Sequence, residues 1–284
     1  MATKSEQTLK AYKFILDWAE KEGIDFYDAK ATTQRMKEVW PKPSTFKTRL
    51  GNLIGALKNA EFGSTKTEGA NITEWNDTEA EVLAEYSKIL KEHSEATQAT
   101  PQEATEKEKE NWLDWEDVMK LNKMLKEKFH QSIEALEDAI LVALYTDTEP
   151  CRNDYAKVGF TAEYPNWLDL KTGLLTIRQH KTAKTEGSIF RQLPYDVLVL
   201  IHLLRAKEVQ RPMLFWEDEA KLSARLISIF ERHTNKKIGS TLLRHIFITH
   251  KRKGDTTLKE KAELAAKMGH SQQTQELYRR PELE

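Results

Sequence analysis

Arg152, Arg244, His270 and Tyr278 are the residues of this chain whose types and order could do chemistry together. Arg152 follows an apolar helical stretch at PCRNDY, and Arg244 sits inside the apolar run TLLRHIF. A guanidinium in such a place keeps its proton, so it needs a permanent anionic partner or a ligand. Two such arginines and a histidine could hold the non-bridging oxygens of a phosphodiester and stabilise the extra charge of a pentacoordinate transition state without a metal. Tyr278, in GHSQQTQELYRR, would then be a nucleophile. Taken singly, each has an ordinary alternative: an arginine in a surface ion pair, His270 capping the preceding helix, Tyr278 in a packed terminal helix. Lys181 and Lys184 in HKTAKTEG read alone as solvated turn lysines, and Cys151 as a small buried filler.

These side chains need a scaffold, and 284 residues suffice for two domains with separate cores. Charged residues make up 31% of the chain, and no apolar run approaches a membrane span. The opening MATKSEQTLKAYKF lacks the apolar core of a secretory leader, so the expected location is intracellular. A single cysteine excludes an internal disulfide and a multi-cysteine zinc site, and the 8 histidines show no HExxH-type spacing. The net charge of −1 conceals a pattern: residues 1–73 carry 12 basic and 9 acidic side chains, 74–110 carry 4 and 11, and 111–284 carry 28 and 25. Two mildly basic lobes flank an acidic segment, which permits DNA binding without indicating it.

The apolar periodicity predicts an all-helical region over residues 1–93. Its helices run through TLKAYKFILDWAEKEG with Gly23 as a stop, from Asp28 to Trp40, from Ser44 to near Gly63, and from Asp77 to His93. Residues 94–110 are polar, contain Pro101 and read as an acidic interdomain linker. From residue 111 the pattern gives a helix opened by NWLDW, a buried helix IEALEDAILVALYT, a small antiparallel sheet within 158–193 and helices again from Tyr195. The later helices are Tyr195–Lys207, Ala220–His233, Thr241–His250 and Leu258–Lys267.

In this order the residues resemble the tyrosine recombinases, or phage-integrase family, which share their active-site logic with type IB topoisomerases. The resemblance covers most of residues 111–284 and implies a mainly α fold with a small antiparallel sheet, in a two-domain DNA clamp. Arg152 in CRNDY fits the family's first arginine, and Lys181 its hairpin lysine, with Lys184 as fallback. Arg244 followed by His245 fits its second-arginine box, His270 its glycine–histidine, and Tyr278 its nucleophile. The wording CRNDY, KTAKT and MGHSQQTQELY looks closest to recombinases of giant viruses, virophages and related mobile elements. Residues 1–93 resemble the family's core-binding domain, with a plain helical or protein-binding module as the alternative. Lys47, Arg49, Lys184 and His245 are the further residues expected to contact DNA.

Two positions depart from the family pattern. Thr241 stands where the box normally has a histidine, three residues before Arg244; it can donate to phosphate but cannot serve as a general base near neutral pH. Tyr155 stands where an acidic residue is common, and Asp154 precedes it as a candidate support. Only RRPELE follows Tyr278, which leaves little chain for the extension that family members often dock on a neighbouring protomer. What the resemblance implies is site-specific cleavage and rejoining of duplex DNA through a 3′-phosphotyrosyl intermediate, without ATP, metal or other cofactor. It also implies four protomers assembled on two duplexes, without a membrane, acting in a nucleus, nucleoid or viral replication site. The alternatives are a type IB topoisomerase-like relaxing enzyme, a DNA-binding relative that has lost catalysis, and a generic helical interaction protein.

Overall fold

Ser5 and Gly23 set the ends of helix α1 (Glu6–Glu22): the Ser5 hydroxyl accepts from the Thr8 amide, and Gly23 closes the helix at φ 64°. The computed structural model describes residues 5–58, 77–98, 103–216, 218–254 and 256–283. Asp28 caps α2 (Ala29–Val39) by accepting from Ala31 N, and Pro43 occupies the first turn of α3 (Pro43–Leu57). The end expected near Gly63 lies outside the described residues; α3 itself stops at Leu57. The helix α4 (Asp77–Gln98) continues past His93, so the first residues assigned to a linker are helical. Tyr12, Ile15, Leu16, Phe46, Leu50, Leu53, Leu83 and Tyr86 form the apolar core of this unit. Each such side chain contributes about 1.5–3 kcal/mol when fully buried. Contacts divide the chain into two compact units, residues 1–100 and 101–284.

The second unit opens with α5 (Glu106–Asn111), inside the stretch expected to be linker. The motif TEKE builds it: Thr105 Oγ1 accepts from Glu108 N, while the Glu108 carboxylate accepts from Thr105 N. The polarity of this segment imitates a linker. A short capped helix needs no apolar stripe of its own when its side chains are bound by a neighbouring core.

After α6 (Trp115–Lys128) comes α7 (Ile133–Thr146), buried continuously from Leu136 to Thr146. Its two buried acids are paired by α10 (Glu219–Thr234): Arg225 reaches Glu137 at 2.7 Å and Asp138 at 2.8 Å, and Arg232 reaches Asp138 at 2.8 Å. Full pairing is what makes burial of those carboxylates tolerable. Four strands follow, β1 (Val158–Gly159), β2 (Asn166–Asp169), β3 (Leu174–Ile177) and β4 (Ile189–Gln192), with α8 (Ala183–Glu186) in the β3–β4 connection. The sheet is mixed, which corrects the all-antiparallel expectation: β1 pairs parallel with β2, and β2–β3 and β3–β4 pair antiparallel. The connection 160–165 brings the chain back to start β2 in the direction of β1, through a turn in which Tyr164 N donates to Thr161 O at 3.2 Å, and an added Cβ at Gly159 would stand 2.1 Å from the Tyr164 ring. The missing side chain lets that ring lie on the β1 backbone as the chain turns back alongside it.

The chain ends in helices α9 (Tyr195–Lys207), α10, α11 (Ser240–Lys251), α12 (Leu258–Lys267) and α13 (Gln272–Tyr278). Among the described residues no helix is long and apolar enough to cross a membrane. The architecture is mainly α with one small four-stranded sheet.

Candidate functional site

Tyr278 is the last residue of α13, and three cationic or titratable side chains surround its ring. The Arg244 guanidinium lies 4.4 Å from the ring centroid, and the His245 and His270 rings lie 4.8 Å and 5.4 Å from it. Arg244 and His245 come from the buried face of α11, whose residues Leu243 to Thr249 are all buried. His270 follows Gly269 at the end of α12. Gly269 turns the chain at φ 66°, and an added Cβ there would meet Ile189 Cδ1 at 2.6 Å. Gly269→Ala is therefore expected to cost about 2–4 kcal/mol, from left-handed strain and overpacking together, and to displace His270. Urea unfolding of the variant checks the first part, and the His270 ring resonances check the second.

Arg244 and His270 are each only 2% exposed, and among the described residues Arg244 Nε and Nη2 and both His270 ring nitrogens have no hydrogen-bond partner. Buried polar groups are ordinarily satisfied, so this cluster of orphaned donors is the most informative feature of the chain. Arg152, half-buried at the turn after α7, lies beside the Asp154 carboxylate, and its backbone is fixed by the Tyr145 hydroxyl donating to Arg152 O at 2.5 Å. Burial, then the nearby charges of Arg244 and Arg152, push the His270 pKa down to about 4. His270 is therefore a neutral imidazole at pH 7. Cys151, pushed up to about 12 by burial, is an inert thiol in the core.

The β3–β4 connection is fastened onto this cluster. Thr182 Oγ1 donates to Gly269 O at 2.6 Å, and the His180 ring bonds Gly187 O at 2.7 Å. Asn166, fully buried, accepts from Arg178 N and Gln179 N and donates to Asp154 O, tying the start of the connection to the Arg152 turn. Arg191 on β4 donates to Tyr155 Oη at 2.7 Å and to Lys267 O at 2.9 Å, just before Gly269. Lys181 lies beside Thr182, and both Lys181 and Lys184 project to solvent. Burial raises the pKa of Asp154, and the charges of His180 and Arg152 beside it act the other way.

Thr241 is exposed on the first turn of α11 and makes no hydrogen bond or ring contact with the Tyr278 cluster among the described residues. His245, expected to contact DNA, is instead buried, with Nδ1 2.7 Å from Glu108 Oε1. Its place inside the unit follows from its position in the middle of α11, which is buried on every side from Leu243 to Thr249. In the first unit Lys47 and Arg49 are half-buried, and the Arg49 guanidinium stacks on Phe14, 4.1 Å from the ring centroid.

Sequence reasoning missed Glu108, Arg280, Arg252 and Thr182. Arg280 is buried, its Nη2 lies 3.1 Å from Glu108 Oε1, and its amide donates to Thr249 Oγ1 at 2.9 Å. Arg252 joins the end of α11 to α13 through Glu276 at 2.7 Å. The T-x-x-E pattern at Thr105 was the one signal that could have exposed Glu108.

Acid should loosen this unit before neutral pH does. Burial holds both His245 and His270 down at about 4, below the ordinary value of 6.5. The unfolded chain thus binds protons that the folded one excludes, and stability falls as pH drops from 6.5 towards 4. The loss is about 2–3 kcal/mol per histidine at most. Urea midpoints at pH 7 and pH 4.5 read it, and Glu108, held at about 2, extends the decline below pH 4.5.

No protein-family model matches the chain, and no curated protein matches it. Among solved structures, the crystal structure of XerA recombinase aligns over 97% of this chain and 88% of that one, at 13% identity and a TM-score of 0.42.

Proposed function

We propose that this chain cleaves and rejoins duplex DNA at specific sites through a covalent link to Tyr278. The observation that carries the reading is the convergence of Arg244 and His270, buried with unpartnered nitrogens, on the tyrosine ring. An unpaired buried guanidinium destabilises a protein unless a ligand supplies the anion, and a phosphodiester supplies it with the right geometry. The motif order from Arg152 to Tyr278 supports the same chemistry through its resemblance to tyrosine recombinases.

In the step itself, Tyr278 Oη forms a bond to phosphorus, and the bond from phosphorus to the 5′-oxygen breaks. Arg152 and Arg244 hold the non-bridging oxygens as negative charge accumulates. His270, neutral at pH 7, makes a hydrogen bond to the same phosphate. Lys181, on the loop fastened to Gly269, protonates the departing 5′-oxygen. With Thr241 unable to act as base, the phenolic proton leaves to water. The phosphotyrosyl ester conserves the phosphodiester energy, and attack by a 5′-hydroxyl reverses the step. Strand exchange would join four protomers on two duplexes.

The test is covalent capture on a pool of duplexes, randomised across the binding region and nicked so that the 5′-hydroxyl fragment diffuses away. A detergent-resistant adduct joined to a DNA 3′-phosphate, with release of a fragment bearing a 5′-hydroxyl, is expected. Absence of any adduct from the wild-type protein overturns the proposal.

A further inference from the structure

The Tyr278 helix is short, and what fixes its tyrosine comes from a segment far away in sequence. Glu108 Oε1 accepts from two sides at once: from His245 Nδ1 at 2.7 Å, beneath the Tyr278 ring, and from Arg280 Nη2 at 3.1 Å, two residues beyond it. Its other oxygen accepts from Thr105 N at 2.8 Å, which anchors the carboxylate to the first turn of α5. A further bond runs alongside, from Ala104 N to Glu282 Oε1 at 2.5 Å. Residues 104–108 therefore grip the chain just after Tyr278, at Arg280 and Glu282, and the His245 ring that packs on the tyrosine. The His245 ring, 4.8 Å from the tyrosine ring, carries that grip to the side chain, and Arg280 carries it to the backbone two residues on.

From these contacts we infer that Glu108 is a positioning residue for the nucleophile: through His245 and Arg280 it holds the Tyr278 ring against Arg244 and His270. Its bond also sets the tautomer of His245, because a carboxylate accepts only and Nδ1 must carry the proton. Glu108 touches no reacting atom and acts only through the two residues it binds. The inference about cleavage rests on the covalent reading of Tyr278; the inference about placement does not.

The experiment uses the full chain and two readouts. In the DNA-free protein, nitrogen NMR of labelled histidine should find His245 protonated at Nδ1, and fluorine NMR of fluorotyrosine at position 278 should give one sharp line. Glu108→Ala should move the His245 proton to Nε2 and broaden or split the fluorine line. Thr105→Ala, which removes the hydroxyl cap but leaves Glu108 Oε1 in place, should change neither. In single-turnover capture, Glu108→Ala should slow adduct formation about ten- to a hundredfold, the scale of a misplaced reacting group, with DNA affinity held within about twofold. If Glu108→Ala does not fold, Arg280→Met removes one arm without stranding a cation and should broaden the fluorine line and slow capture. A sharp fluorine line in a folded variant that has lost Glu108 or Arg280, or capture at the wild-type rate, overturns the positioning role. Failure of wild type to form any adduct overturns the covalent reading instead, and the fluorine line still judges the grip.

Discussion

Tyr278→Phe is expected to abolish the covalent protein–DNA adduct, lowering its rate of formation by at least about 10⁴-fold. Phenylalanine keeps the ring that packs between Arg244, His245 and His270, and removes only the hydroxyl. DNA affinity and thermal stability should stay near wild type, so the variant separates nucleophile from scaffold. Capture on the nicked pool and a parallel binding measurement make the comparison. An adduct from Tyr278→Phe would place the nucleophile elsewhere and sink the mechanism.

Arg244→Leu should have two effects of opposite sign. Cleavage should fall by about 10²–10³-fold, because a donor aimed at the developing phosphorane charge is lost. Stability of the DNA-free protein should rise, by about 1–3 kcal/mol, because an apolar side chain replaces a buried guanidinium with unpartnered Nε and Nη2. A structural arginine predicts the reverse. Urea unfolding of the free protein reads the sign directly, and inorganic phosphate should stabilise the wild type more than the variant. Loss of stability in Arg244→Leu would mean that the guanidinium has partners in the free protein and was not waiting for an anion.

Local signals were legible where one segment decides its own structure. The α1 stop at Gly23, the fully buried α7 and the helices from Tyr195 onwards follow from periodicity, caps and apolar run length. The parallel pairing of β1 was not legible, because it depends on how the connection 160–165 returns the chain to β2. Nor was the role of residues 104–108. Their polarity matched a linker, and only contact with α11 and with Arg280 gives Glu108 its place. The burial of His245 was hidden for a related reason: its type suits DNA contact, but α11 is enclosed on every side from Leu243 to Thr249 by segments distant in sequence.

By itself the sequence determined which side chains can do phosphate chemistry and in what order they come, because residue type and helical register are local properties. It also placed Arg244 within an apolar run, where an unpaired cation is costly. The tertiary structure alone decided that Arg244 and His270 meet at Tyr278 with their nitrogens unpartnered, and that Thr241 stays outside. It alone brought Glu108 across 172 residues to Arg280. Hydrogen-bond satisfaction and ring contact are properties of what surrounds a side chain, and those surroundings come from segments that the sequence holds far apart.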